Sequence, residues 1–116
     1  MEEQWKILLY RTPQGDSPIK DFIESLELKA QAKVRNTINL LRDFGTRLGS
    51  PHIKKLTGTE LWKLRILGVD SIRIFYITVT GKIFLLLHGF KKKRDKISAK
   101  EIKIARERLV EHRSRL

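Results

Sequence analysis

Cysteine is absent from the 116 residues. That removes disulfides, thiolate metal sites and cysteine nucleophiles together, and it leaves a fold of this size to be stabilised by packing alone. Long apolar runs are absent too: no stretch reaches the roughly 18 residues that a membrane-spanning helix needs. The opening Met1-Glu2-Glu3-Gln4-Trp5-Lys6 is acidic before it is basic and does not read as an export signal, so a cytoplasmic protein with no membrane partner is expected. No Pro- or Gly-rich boundary, internal repeat or low-complexity linker divides the chain. With 41% hydrophobic residues there is enough apolar surface for one core but not two, and residues 1–116 are expected to form a single domain.

Acidic residues are the remaining shortage. Against 25 Lys and Arg stand 13 Asp and Glu, a formal charge of +12. The surplus is uneven: +1 over residues 1–50, +4 over 51–87 and +7 over 88–116. Such an excess resists compaction unless a polyanion or an acidic partner neutralises it. A run such as Lys91-Lys92-Lys93-Arg94, taken alone, is an ordinary solvated segment. The gradient toward the C-terminus points instead to a patch, and a positive patch points to nucleic acid.

Trp5 to Tyr10 is a short apolar run of strand length, closed by the turn-forming Thr12-Pro13-Gln14-Gly15. Asp16 or Ser17 can cap a helix with Pro18 in its first turn, and Ile19, Phe22, Ile23 and Leu26 follow at i, i+3, i+4 and i+7. A second helix runs from Lys29 to Phe44 through Ala30, Val34, Ile38 and Leu41, with Gly45 to end it. After a loop from Gly45 to His52 the pattern changes to alternation. Leu61 to Ile66 places Trp62, Leu64 and Ile66 on one face and Lys63 and Arg65 on the other. Turns at Gly68-Val69-Asp70 and Thr80-Gly81 then define strands Ser71 to Val79 and Lys82 to Phe90. Ser98-Ala99-Lys100-Glu101 has the spacing of a capping box, which opens a last helix with Ile102, Ala105 and Leu109 on its buried side. The expected fold is α+β: a four-stranded antiparallel sheet in the order βααβββα, with two N-terminal helices and one C-terminal helix packed largely on one face.

Most catalytic constellations are missing. His52, His88 and His112 are too scattered to suggest a metal triad, no carboxylate pair sits near a strand end, and there is no phosphate-binding Gly loop or nucleophile elbow. What remains is a group of cations on adjoining strands: Lys63 and Arg65, then Arg73, then His88 with Lys91, Lys92 and Lys93. They are placed to converge on one phosphate.

The segments Leu61-Trp62-Lys63-Leu64-Arg65, Arg73-Ile74-Phe75-Tyr76, Leu85 through Lys93, Glu101-Ile102 and Ala105 through Arg108 occur in an order that resembles the RelE/HigB superfamily of ribosome-dependent mRNA endonuclease toxins. Within it they resemble the phage-related HigB-like branch, over nearly the whole chain. The resemblance implies a RelE-like fold, entry into the ribosomal A site, and mRNA cleavage without metal or cofactor. It also implies rRNA and mRNA as partners and neutralisation by a cognate antitoxin, expected to be of helix-turn-helix type. Position by position, Lys63 resembles the family's strand lysine beside the scissile phosphate, Arg73 the arginine on the neighbouring strand, and Lys91 the basic residue beyond the fourth strand.

Attack by a 2′-hydroxyl needs a base, an acid for the leaving 5′-oxygen, and positive charge on the phosphorane. A lysine among other cations can have its pKa lowered and trade protons, whereas an arginine holds its proton and stabilises charge. Lys63 is therefore read as the proton acceptor, with Arg73 and Lys91 stabilising charge. Where some family members carry a catalytic tyrosine or histidine in the tail, this chain reads Ile97-Ser98, so the acid falls to His88 or to the Lys and Arg residues alone. His88 has a second reading as a hydrogen-bonded structural residue. Phe90 either stacks on an mRNA base or belongs to the core. Arg65, Lys54, Lys55, Lys92, Lys93 and Arg94 are read as RNA-binding. Two further readings stay open: a non-catalytic inhibitor of DNA gyrase, as in the related ParE branch, and a plain RNA-binding protein.

Overall fold

Five strands and three α-helices make up the computed structural model, which describes residues 5–68, 71–93 and 97–116. In chain order they are β1 (Lys6–Leu9), α1 (Pro18–Glu24), α2 (Leu28–Phe44), β2 (Ile53–Lys55), β3 (Trp62–Arg65), β4 (Ile72–Val79), β5 (Ile83–Lys91) and α3 (Ala99–Ser114). The α+β class and the three helices agree with the sequence reading; the sheet differs in two ways. It has five strands in the order β1-β5-β4-β3-β2, and it is mixed, because β1 runs parallel to β5 while every other pair is antiparallel. The extra strand β2 is a three-residue edge element lying beside β3. Its Ile53-Lys54-Lys55 is too short to show an alternating pattern. The parallel pairing follows from the connection: α1 and α2 carry the chain from one edge to the other, and the meander β2 to β5 returns to β1.

Local chemistry accounts for the helix ends. The Ser17 hydroxyl caps α1 by accepting from the Lys20 N–H, and Pro18 occupies the first helical position,. Gly45 ends α2 with φ of +59°, and a Cβ there would fall 2.1 Å from Nε1 of Trp5. Glycine is therefore required twice over, for the backbone and for the indole, which stacks on Phe84 at 4.5 Å between ring centroids,. The capping box expected at α3 does not form. Ser98 is the N-cap but makes no side-chain bond there, and the Glu101 carboxylate reaches across to His88 instead.

The helices cover both faces of the sheet rather than one. Register puts Leu64, Ile74 and Gly89 on one face, and there Phe22 of α1 lies over Gly89. Lys63, Phe75 and His88 share the opposite face, where α3 reaches down through Glu101 and Arg108. Ile19, Val34, Leu41, Leu64, Ile74, Leu85 and Leu86 are fully buried, each contributing about 1.5–3 kcal/mol of apolar transfer. Among the described residues no helix is long and apolar enough to cross a membrane.

Gly89 sits where α1 presses closest on β5: an added Cβ would come within 2.6 Å of the Phe22 ring. Gly89→Ala is expected to cost about 1–3 kcal/mol through overpacking, read from the urea midpoint. Phe22→Leu in the same chain should return part of that loss.

Candidate nucleic-acid interface

One irregularity sets the geometry of the site. Along β4 and β5 the register runs Tyr76 opposite Leu86 and then Phe75 opposite His88, so Leu87 is an extra residue in β5, a β-bulge,. Because side chains alternate with period two, one inserted residue reverses the facing of everything after it. His88 and Phe90 thereby turn to the face of Lys63 and Arg73. The ladder continues in that phase, with the Lys92 N–H donating to the Ser71 carbonyl at 2.9 Å.

Across this face the sheet aligns Lys54 of β2 with Lys63 of β3, Lys63 with Phe75, and Phe75 with His88. The next row aligns Arg65 with Arg73, and Arg73 with Phe90. Like charges directly opposite each other on neighbouring strands are destabilising, yet two guanidiniums occupy this pair. None of Lys54, Lys63, Arg65, Arg73 and Lys92 has a carboxylate within ion-pair distance among the described residues. Arg73 is 9% exposed; its Nη1 donates to the Ile72 carbonyl at 2.9 Å, and its buried Nε has no hydrogen-bond partner. Burial, and then Arg65, lower the Arg73 pKa from its usual value. The Lys63 pKa is lowered by burial first, then by the charges of Lys54, Lys92, Arg73 and Arg65. The group is a cluster of cations without carboxylate partners among the described residues, and its lysine gives up its proton more readily than a free one,.

Not every residue expected at the site reaches it. Lys91 pairs with Ile72 and so lies on the opposite face from Lys63 and Arg73; Lys92 stands where Lys91 was expected. Without the bulge, alternation would have carried Lys91 to the cation face. Lys55 pairs with Trp62, also on the other face, and its Nζ donates to the Thr59 carbonyl. Lys93 is exposed near the start of α3, and Arg94 lies outside the described residues. Phe90 is 5% exposed, its ring stacked on His88 at 5.3 Å and tilted against Phe75 at 5.0 Å. It belongs to the core and is not a free stacking platform. The sequence does carry a signal for the bulge: an isolated Gly within a strand pattern, here Gly89, often marks one.

His88 is held at both ring nitrogens. Arg108 Nη1 donates to Nδ1 at 3.2 Å and to the bulge carbonyl of Leu87 at 2.9 Å. A guanidinium only donates, so Nδ1 is an acceptor, and the ring proton on Nε2 is donated to Glu101 Oε1 at 2.9 Å,. This is a neutral imidazole fixed in one tautomer. Burial is the main cause that lowers the His88 pKa; the Glu101 hydrogen bond opposes it, and the charge of Arg108 adds to it. With both nitrogens engaged, His88 joins α3 to the sheet. Sequence reasoning treated Glu101 as a cap and gave Arg108 no separate role, because neither shows its cross-strand partner in one dimension.

Beside the cation face, between the end of β5 and the start of α3, lies a cavity of about 270 Å³ lined by Phe90, Lys91, Lys92, Lys93, Ile97, Ser98, Lys100 and Glu101. Among the described residues no cluster of three or more His, Asp or Glu side chains is placed to hold a metal ion.

A family model described as Phage derived protein Gp49-like (DUF891) matches residues 21–110. The match takes in every cation of the face, the bulge, and the Glu101–His88–Arg108 cluster. No curated protein matches the chain.

Because the folded-state pKa of His88 lies below its ordinary value of 6.5, protonation favours the unfolded chain. The His88 contribution to stability is full above pH 6.5 and declines as pH falls below it toward the lowered folded value. Thermal melts at pH 7.5 and pH 5 should show this loss, and His88→Gln should flatten that part of the profile.

Proposed function

We infer function from one premise: the chain belongs to the family of phage-derived Gp49-like proteins, which is associated with RelE-like toxins of toxin–antitoxin systems. On that premise the protein is the toxin of a type II pair, an endoribonuclease that cuts ribosome-bound mRNA in the cytoplasm and is neutralised by a cognate antitoxin. The observation that carries this reading is the in-register Arg65–Arg73 pair, flanked by Lys54, Lys63 and Lys92 and facing no carboxylate among the described residues. Five cations held together cost stability, and an anion bound among them would offset that cost.

The chemistry assigned to the face follows from the residue types. Lys63, with its lowered pKa, takes the proton of the attacking 2′-hydroxyl. Arg73 is desolvated, so its positive charge acts strongly on the negative charge that builds on the phosphorane beside it,. In the sheet Arg73 stands between Lys63 and Lys92. Lys92, whose charge also reaches Lys63, is the ammonium from which the leaving 5′-oxygen takes its proton,. Lys91, on the opposite face, has no part in this scheme. Nor does His88 exchange protons here; it positions α3.

Incubating the protein with a translated message in a reconstituted system, with primer extension to map cuts, tests the reading. Cutting should require ribosomes, and Lys63→Ala or Arg73→Ala should each slow it by about a hundredfold or more. No cutting, or cutting that survives both substitutions, overturns it; inhibition of DNA supercoiling by gyrase would point to the ParE-type alternative. The same geometry makes a prediction on stability. Arg73→Met removes a buried like-charge contact and an unpaired Nε, so it should raise stability by about 1–2 kcal/mol in urea unfolding while cleavage falls.

A further inference from the structure

The cavity at the junction of β5 and α3 adjoins the cation face through shared residues. Phe90 lies opposite Arg73 in the sheet, and Lys92 is close enough to Lys63 to act on its charge; both line the cavity. Phe90 and Ile97 supply apolar wall, and Lys92, Lys93 and Lys100 stand around it with no ion-pair partner among the described residues. The two other polar groups are specific in character. The Ser98 hydroxyl makes no capping bond. The Glu101 carboxylate is fixed at Oε1 by His88, while its Oε2 accepts no hydrogen bond from the described residues. A pocket with apolar walls, a cationic rim, one fixed acceptor and one free hydroxyl has the composition of a nucleobase site.

We propose that this cavity receives the base of the nucleotide next to the scissile phosphate, and that Glu101 and Ser98 select adenine or cytosine over guanine or uracil. The proposal rests on the ribonuclease reading and adds a specificity site to it. On their Watson–Crick edges adenine and cytosine each present an exocyclic amine beside an unprotonated ring nitrogen. Glu101 Oε2 accepts from the amine and the Ser98 hydroxyl donates to the ring nitrogen. Held in the same orientation, guanine and uracil set a carbonyl lone pair against the carboxylate and a ring N–H against the Ser98 hydroxyl, and guanine's 2-amine lies beyond that N–H, away from Glu101. The lysines hold the backbone phosphates that follow the base.

The test exploits the fixed oxygen. In Glu101→Gln the amide oxygen still accepts from His88 Nε2–H, and the amide N–H2 turns to the cavity, so an acceptor becomes a donor. Two measurements are made: the base composition flanking each cut in the translated message, and the binding of fluorescein-labelled rA, rC, rG and rU hexamers to the protein alone. Wild type should favour adenine and cytosine by about tenfold at one flanking position and in binding. Glu101→Gln should reverse the preference toward guanine and uracil, and Ser98→Ala, at an exposed position, should flatten it. Equal use of all four bases by the wild type overturns the proposal, as does a Glu101→Gln protein that melts normally and keeps the original order. If Glu101→Gln fails to fold, an unchanged preference in Ser98→Ala overturns it. If the protein cuts nothing, the ribonuclease reading fails, and the hexamer binding order still decides the pocket.

Discussion

The inserted Leu87 in β5 is the constraint on which the rest of the molecule depends. A strand has no way to absorb one extra residue except by reversing the facing of everything beyond it, and here that reversal assembles the site. Ahead of the bulge, Phe84 and Leu86 face the layer of α1 and α2; beyond it, His88, Phe90 and Lys92 face α3 and the cations of β3 and β4. At the bulge Arg108 donates to the Leu87 carbonyl. A single guanidinium thus contacts the bulge, fixes the His88 tautomer and anchors α3.

The choice of a neutral side chain at His88 follows from what surrounds it. The face already brings Arg65 against Arg73 and crowds Lys63 with further cations. A lysine or a protonated imidazole in the same row would add to repulsion that the sheet already bears. A neutral imidazole donating to Glu101 and accepting from Arg108 fills the position without adding charge. Among the described residues Glu101 is the only carboxylate that lines the cavity. Since it is bound to the imidazole and not to a lysine, the cations are left free for an external anion.

Much of the fold could be read from periodicity: all three helices, four of the strands, and the alternation that puts Lys63 and Arg65 opposite Leu64 follow from one-dimensional patterns. The direction of β1 could not be read, because an apolar run such as Ile7-Leu8-Leu9 looks the same whether its neighbour is parallel or antiparallel. Nor could β2, whose three residues hold no complete repeat. Which helices cover which face also escapes, since an amphipathic helix declares that it is covered but not by what. At the site, residue types were legible and phase was not. Lys91 and Lys92 are chemically identical, and only the bulge between Phe75 and Tyr76 decides which joins Arg73. Gly89 carried a hint of it, but its close contact with Phe22 would also explain a glycine.

The basic surplus noted at the C-terminus divides once the acids are located. Glu60 pairs with Arg113 in a two-bond contact at 2.8 Å, Glu111 with Arg115 at 2.7 Å, and Glu107 with Lys103 at 3.9 Å. Exposed pairs of this kind add little stability, but their positions shape the field. Glu60, Glu107 and Glu111 are thus spent on Arg113, Lys103 and Arg115, so the cations in and just beyond α3 are partly neutralised where they stand. The face of β2, β3, β4 and the end of β5 has no such neighbours among the described residues. Among the described residues, Lys54, Lys63, Arg65, Arg73 and Lys92 thus form a group of cations with no carboxylate beside them, and this matters because field strength depends on where the counter-charges are as much as on where the charges are.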